Sequence, residues 1–226
     1  MADENKIIRQ SLIEWFPIKD NENVLLVNSG DSSLDELLEP KCKLSLVEKF
    51  EELENAITKK QEYDIVIMYD LYGFCIESEV QVKEMLGILL EVKKTKGTML
   101  MALENKLGMK YFAGCQEEQQ GGYYVGIEDY SSWDSDIQPL SKKEIEYLLN
   151  AIGDIEYKFY YPYPDYKYPT IVYTDECLPK EGELFRNIRN IDRDRYIMFD
   201  ERRAFDSIIK AGLFPEFSNS YLISIV

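Results

Sequence analysis

VLLVNSGDSS, residues 24–33, decides the fold. Its apolar run passes without alternation straight into Asn28, Ser29, Gly30 and Asp31. Such a run is buried on both faces, as in a strand inside a parallel sheet, and the turn residues after it form a loop at the strand's carboxyl end. SSLDELLE (32–39) then reads as a short helix with Ser32 or Ser33 as its cap.

The same alternation extends outward from this stretch. Upstream, IIRQSLIEWF (7–16) carries Ile7, Ile8, Leu12, Ile13 and Trp15 at helix-like spacing and ends at Pro17. Downstream, KLSLVEKF (43–50) and YDIVIMYD (63–70) read as strands, separated by a helix with Phe50, Leu53 and Ile57 on one face. Val82, Met85, Leu86 and Leu89 predict a helix over 79–94, stopped by Gly97, and TMLMAL (98–103) is the next strand. SKKEIEYLLNAIG (141–153) is a helix with a Ser141–Glu144 capping box, a buried stripe of Ile145, Leu148, Leu149 and Ile152, and Gly153 as its stop. IEYKFYYPY (155–163) is a strand, DERRAFDSIIKAG (200–212) a helix and SNSYLISIV (218–226) a final strand. Strands alternating with helices of this length predict a doubly wound α/β fold with ligands beyond the carboxyl ends of the strands. With no internal repeat and no low-complexity linker, residues 1–226 are expected to form one domain. Residues 104–140 make a lid-like insertion, and 165–198 an irregular insertion before the last helix and strand.

Composition narrows the chemistry. Apolar residues make up 45 % of the 226, enough for a sizeable core. No apolar run approaches the roughly 18 residues of a membrane span, and the polar start Met1–Lys6 lacks the core of a signal peptide. Cys42, Cys75, Cys115 and Cys177 are far apart, and there is no histidine, so no metal site is expected and the cysteines read as reduced thiols of a cytoplasmic protein. The net charge of −16 repels phosphate backbones, so nucleic acid is not an expected partner. Without histidine, any general base is Asp, Glu, Lys, Tyr or Cys, which excludes Ser-His-Asp and Cys-His catalysis.

The loop after residue 27 is the first candidate site. Gly30 either only turns the chain or lets the backbone approach a ligand. Glu48, 18 residues on at the end of the second strand, is either a solvated strand-end carboxylate or the acid that takes ribose hydroxyls. The tyrosines Tyr157, Tyr160, Tyr161, Tyr163, Tyr166, Tyr168 and Tyr173 could stack on sugar rings, but their spacing reads better as a packed strand face.

The stretch from Val24 to Phe50 resembles motif I and the following acidic strand of class I S-adenosylmethionine (SAM) methyltransferases. ALENKLGMKYFAGCQEE (102–118), GIEDY (126–130), YKFYYPYPDYKYPT (157–170) and FPEFSNSYLISIV (214–226) are similar to a bacterial group of methyltransferase-like domains. That group occurs in Firmicutes gene neighbourhoods for cell-surface polysaccharides and glycosyltransferases. The resemblance implies a Rossmann-like, doubly wound, mostly parallel sheet of seven strands with an antiparallel C-terminal strand. It implies SAM as cofactor, held by Val27, Asn28, Ser29, Gly30, Asp31, Glu48, Tyr69 and Asp70. Asp70 and Glu104 become the catalytic candidates, and Glu104, Asn105 and Tyr111 the substrate contacts. Gly30, Glu48 and Asp70 are expected to converge on one cleft. The family's glycine-rich loop corresponds here to Asn28, Gly30 and Ser32, so two positions carry side chains and weak SAM binding is expected. The family's usual strand-like stretch between Glu48 and Tyr63 is not evident, and Glu118-Gln119 stands where relatives are expected to have Asp-His.

The resemblance implies a SAM-dependent methyltransferase acting on a sugar or other small polar acceptor, associated with glycosyltransferase machinery. The alternative is a methyltransferase-like domain that has lost catalysis and serves as a binding or scaffold module. A nucleotide-binding oxidoreductase is a third reading, supported only by the single glycine.

Overall fold

The computed structural model describes residues 2–28, 33–119, 121–131, 136–184 and 196–226. Chain order is α1 (Ala2–Gln10), β1 (Asn23–Asn28), α2 (Leu34–Leu38), β2 (Lys43–Val47), α3 (Phe50–Thr58), β3 (Tyr63–Tyr69), α4 (Leu71–Ser78), α5 (Val82–Val92) and β4 (Lys93–Glu104). There follow α6 (Met109–Phe112), α7 (Lys142–Ile152), β5 (Tyr157–Tyr163), β6 (Ile171–Thr174), α8 (Glu201–Lys210), α9 (Phe214–Phe217) and β7 (Ser220–Ile225).

The strands form one sheet in the order β2-β1-β3-β4-β7-β5-β6. β2, β1, β3 and β4 are mutually parallel. β7 inserts between β4 and β5, antiparallel to both. The mostly parallel seven-stranded architecture with an antiparallel C-terminal strand is therefore present. Its seventh strand lies in an unexpected place. The segment between β2 and β3 holds only α3, and the sheet gains β6 at the opposite edge, antiparallel to β5 and inside the segment read as irregular.

Strict alternation along the strands builds a core on each face. Leu25, Val27, Val66, Met68, Met99, Met101 and Ile223 point to one face, under α3, α4 and α5. Val24, Leu26, Ile65, Ile67, Leu100 and Leu222 point to the other, under Leu12, Ile13 and the α2 residues Leu34 and Leu38. The unalternated runs of β1 and β3 follow from this two-sided burial.

Local differences from the sequence reading have local causes. The N-terminal helix stops at Gln10, and Leu12 and Ile13 reach the core from turns. Ser33 precedes α2 in a left-handed conformation, and its side chain makes no cap hydrogen bond. Gly97 does not stop α5, which ends at Val92. It lies inside β4 where the pairing with β3 shifts register. A Cβ at Gly97 would sit 2.8 Å from the Asp64 carbonyl oxygen and 3.0 Å from that of Tyr63. The glycine thus serves a close backbone approach. Among the described residues, no helix is long and apolar enough to cross a membrane.

Gly97→Ala is expected to destabilise the protein by about 1–3 kcal/mol, because backbone rather than a flexible side chain must give way. Gly87→Ala, in the exposed middle of α5 with nothing within 4 Å of the added carbon, should stabilise by about 0.5–1 kcal/mol. Urea unfolding of both variants checks the pair.

Candidate active site

The chain runs from β1 to β2 on one side and then crosses back to β3 on the other, so the strand order reverses beside β1. A doubly wound sheet opens its ligand crevice at that point, beyond the carboxyl ends of the strands. The strand ends there are Asn28 and Tyr69, register partners in the β1–β3 ladder, followed by Asp70. Val27 is wholly buried in the core and Asn28 is 8 % exposed. Ser29, Gly30 and Asp31 lie outside the described residues, as does Ser32.

Glu48 follows β2 and is exposed, with its backbone N–H donating to Glu52 Oε2 (2.9 Å). Among the described residues its carboxylate has no ion pair. It opens on a groove of about 520 Å3, shared with Lys49, Phe50 and Glu51 on one side and with Phe74, Glu77, Ser78 and Glu79 on the other.

Asp70 caps α4 from a left-handed backbone conformation (φ 59°), and its Oδ1 accepts the Gly73 N–H (3.1 Å). Gly73 makes this possible, since a Cβ there would lie 2.5 Å from Asp70 Oδ2. Gln119 Nε2 approaches the same carboxylate at 3.4 Å. Burial raises the Asp70 pKa, with Glu118 adding to the rise, while Lys167 and the Gly73 N–H oppose it. Tyr69 is buried and meets Tyr166 edge-on, with ring centroids 5.3 Å apart.

Beyond β4 lies a buried ionic network. Lys110, on the short α6, places its ammonium 2.6 Å from Glu118 Oε1 and 2.7 Å from Asp165 Oδ2, and all three side chains are at most 5 % exposed. Lys167 binds Glu118 Oε2 and lies 3.4 Å from Glu104 Oε1. Glu104 is fully buried and accepts the Tyr111 O–H at Oε2 (3.2 Å). Burial pushes Glu104 well above the usual carboxylate range, with the Glu118 charge adding, and Lys110 and Lys167 offset this only in part. Burial acts the same way on Glu118. There Lys110, a hydrogen bond from Glu104 and Lys167 outweigh it and hold the carboxylate well below its usual range. Of the pair, Glu104 is therefore the one that holds a proton more tightly and Glu118 the one whose charged form the lysines favour.

The expected substrate contacts sit deep in this network. Tyr111 is buried against Glu104. Asn105 is fully buried, and its amide donates to the carbonyls of Glu216 (2.9 Å) and Ser218 (2.7 Å) while its oxygen accepts the Leu107 N–H (3.0 Å). That amide is fully occupied in stitching the end of β4 to the approach of β7. Asp70 and Glu104 belong to one electrostatic cluster, whereas Glu48 faces the separate groove at the β2 end. Sequence reasoning missed Lys110, Asp165 and Lys167, and it named Tyr166 only as one of the tyrosines of a packed strand face. The available signal was the isolated lysines and aspartate within GMKYFAG and YPDYKY, two otherwise uncharged, aromatic stretches.

The architecture is that of SAM-dependent methyltransferases. A SAM-dependent methyltransferase from Archaeoglobus fulgidus is similar to the chain at a TM-score of 0.51 and 12 % identity, over 98 % of this chain and 93 % of that one. A chain from the complex between the Haloferax volcanii Trm112 methyltransferase activator and a methyltransferase is similar at a TM-score of 0.50 and 12 % identity, over 100 % and 91 %. At this identity the likeness concerns the fold. No family model matches the chain, and no curated protein matches it.

Two substitutions test the network. Lys110→Met should cost about 3–5 kcal/mol, because it leaves the buried carboxylates uncompensated. For Glu104 the folded pKa exceeds the unfolded value of about 4.3, so its contribution to stability is full below that value and lost as pH rises through the folded one. For Glu118 the folded pKa is depressed, so its contribution is present above about pH 4.3 and lost as pH falls through the folded value. Glu104→Gln, which mimics the protonated carboxyl, should match the wild type near about pH 5 and exceed its stability increasingly toward about pH 8. Thermal unfolding across that range measures the difference.

Proposed function

We propose that this chain binds SAM across the carboxyl ends of β2, β1 and β3 and transfers its methyl group to a small polar acceptor. The observation that carries the reading is Glu48, a carboxylate with no ion pair among the described residues, in a concave groove beside the strand-order reversal, with Phe50 and Phe74 as apolar wall. A carboxylate suits a pair of ribose hydroxyls, and an aromatic wall suits a purine. The surrounding charge fits as well. SAM carries a sulfonium, an ammonium and one carboxylate, and so one net positive charge, while the demethylated product carries none. Glu48, Glu51, Glu77 and Glu79 outnumber Lys49 in the groove, which attracts the donor more than the product.

Bound SAM would supply an electrophilic methyl group. Asp70 stands nearest the crevice as base, and burial raises its affinity for a proton. It would take the acceptor's hydroxyl proton as the oxygen–methyl bond forms and the sulfur–methyl bond breaks. The acceptor class we infer is a sugar or another small polar molecule, and the resemblance to surface-polysaccharide neighbourhoods supports a role beside glycosyltransferases. One observation favours a second reading, a binding module without transfer. Tyr166 and Lys167 cover Tyr69 and Glu104, so an acceptor reaches Glu104 only if residues 165–167 move.

Calorimetry with SAM and S-adenosylhomocysteine tests the reading. SAM should bind more tightly than its product, and the gap should narrow with salt. Glu48→Ala should weaken SAM about 10- to 100-fold, the range for a hydrogen bond to a charged group. Equal binding by wild type and Glu48→Ala would refute the ribose role. SAM binding without labelled-methyl transfer to any neutral sugar or nucleotide sugar would favour the second reading.

A further inference from the structure

On the sheet face opposite α3, α4 and α5, the chain leaving α1 passes over the β5–β6 hairpin and leaves a groove of about 420 Å3. Trp15 and Tyr160 form one wall, with Ile171 and Val172 beside them, and the hydroxyls of Ser11, Thr170 and Thr174 form the rim. Trp15 is 44 % exposed although its ring is fixed from several sides. Its indole N–H donates to the Leu12 carbonyl (2.8 Å), Phe16 meets it edge-on at 5.9 Å, and Tyr160 lies at 4.8 Å. An exposed indole that is already immobilised gives a flat apolar surface at little entropic cost to a ligand.

The polar rim adds direction. The Ser11 hydroxyl proton is committed to the carbonyls of Ile8 (2.6 Å) and Pro169 (2.8 Å), and that of Thr170 to the Tyr163 carbonyl (3.1 Å). What these oxygens still offer is lone pairs, so the rim receives O–H donors. None of the described residues that line it is charged, in a chain of which 30 % is charged. A phosphate or nucleotide would need a cation, which the described lining does not supply, and the net charge of −16 repels it further. A pyranose meets all these conditions together. It has an apolar C–H face for the indole, O–H donors at its edge, no charge, and a size that suits the volume.

We propose that the Trp15–Tyr160 groove is a carbohydrate subsite that takes the C–H face of a neutral pyranose against the indole, with the ring hydroxyls donating to Ser11 and Thr170. The site does not depend on SAM or on methyl transfer. It joins the candidate active site through the short stretch from Lys167 to Thr170, in which Tyr168 accepts a hydrogen bond from Arg9 (2.9 Å).

The test is titration of the full chain with neutral saccharides: glucose, galactose, N-acetylglucosamine, maltose, cellobiose and lactose. Trp15 fluorescence is read in a Trp133→Phe background, which removes the other tryptophan, and amide chemical shifts of residues 11–16 and 170–174 are followed in parallel. At least one sugar should bind saturably in the millimolar range. Trp15→Ala should weaken it at least tenfold, while Trp15→Phe retains most of the affinity. Ser11→Ala and Thr170→Val should each weaken it severalfold, and they decide the matter if Trp15→Ala fails to fold. Absence of saturable binding up to tens of millimolar for every sugar overturns the proposal. So does unchanged binding in Trp15→Ala, or shifts confined to other residues. Because the readout is sugar binding without SAM, its failure is distinct from failure of the methyltransferase reading.

Discussion

A lysine ammonium cut off from water persists only if carboxylates meet it, and Lys110 sets that condition for the whole carboxyl edge of the sheet. Burial works against its charge, yet Asp165 and Glu118 outweigh burial and hold its pKa well above the normal value. One partner comes from the segment after α6 and the other from the segment after β5. Two long connections far apart in sequence are thereby fixed over the end of β4. Asn219 closes the same junction, accepting the Lys110 backbone N–H (2.8 Å) and donating to the Pro164 carbonyl (2.9 Å). Gly108 allows the approach, since a Cβ there would lie 2.9 Å from the Asn219 Cα.

The network divides the crevice into unlike halves. Toward β4 the carboxylates are paired, buried and covered by Tyr166 and Lys167. Toward β2 the carboxylates are exposed in an open groove and outnumber the lysine that shares it. On the proposed reading a cationic donor would sit in the second half, and Asp70, the proposed base, lies between the two. The two functions proposed for the edge, holding a donor and taking a proton, thus fall to regions with different dielectric surroundings, which allows carboxylates of one intrinsic pKa to behave differently.

The central strands were legible because burial on both sheet faces demands unbroken apolar runs, and β1, β3 and β4 write that demand directly into 24–27, 65–69 and 99–103. The capping box at Ser141 and Glu144 was equally local and formed as read, with each partner's side chain meeting the other's backbone. The chain's acidity and its lack of histidine also belong to the sequence alone, and they limit the base to a carboxylate or one of a few other groups.

Tertiary structure decided what depends on distant segments meeting. The role of Gly97 came from the carbonyls of Tyr63 and Asp64, which no local pattern around 97 reveals. The seventh strand, β6, pairs only because β5 offers an edge to a four-residue segment too short for periodicity to mark. Glu104 and Glu118 have the same side chain, yet the proton affinity of one is raised and that of the other lowered, because the lysines meet Glu118 more closely. That difference comes from desolvation and from charges brought together across the fold, and both exist only after the chain has folded.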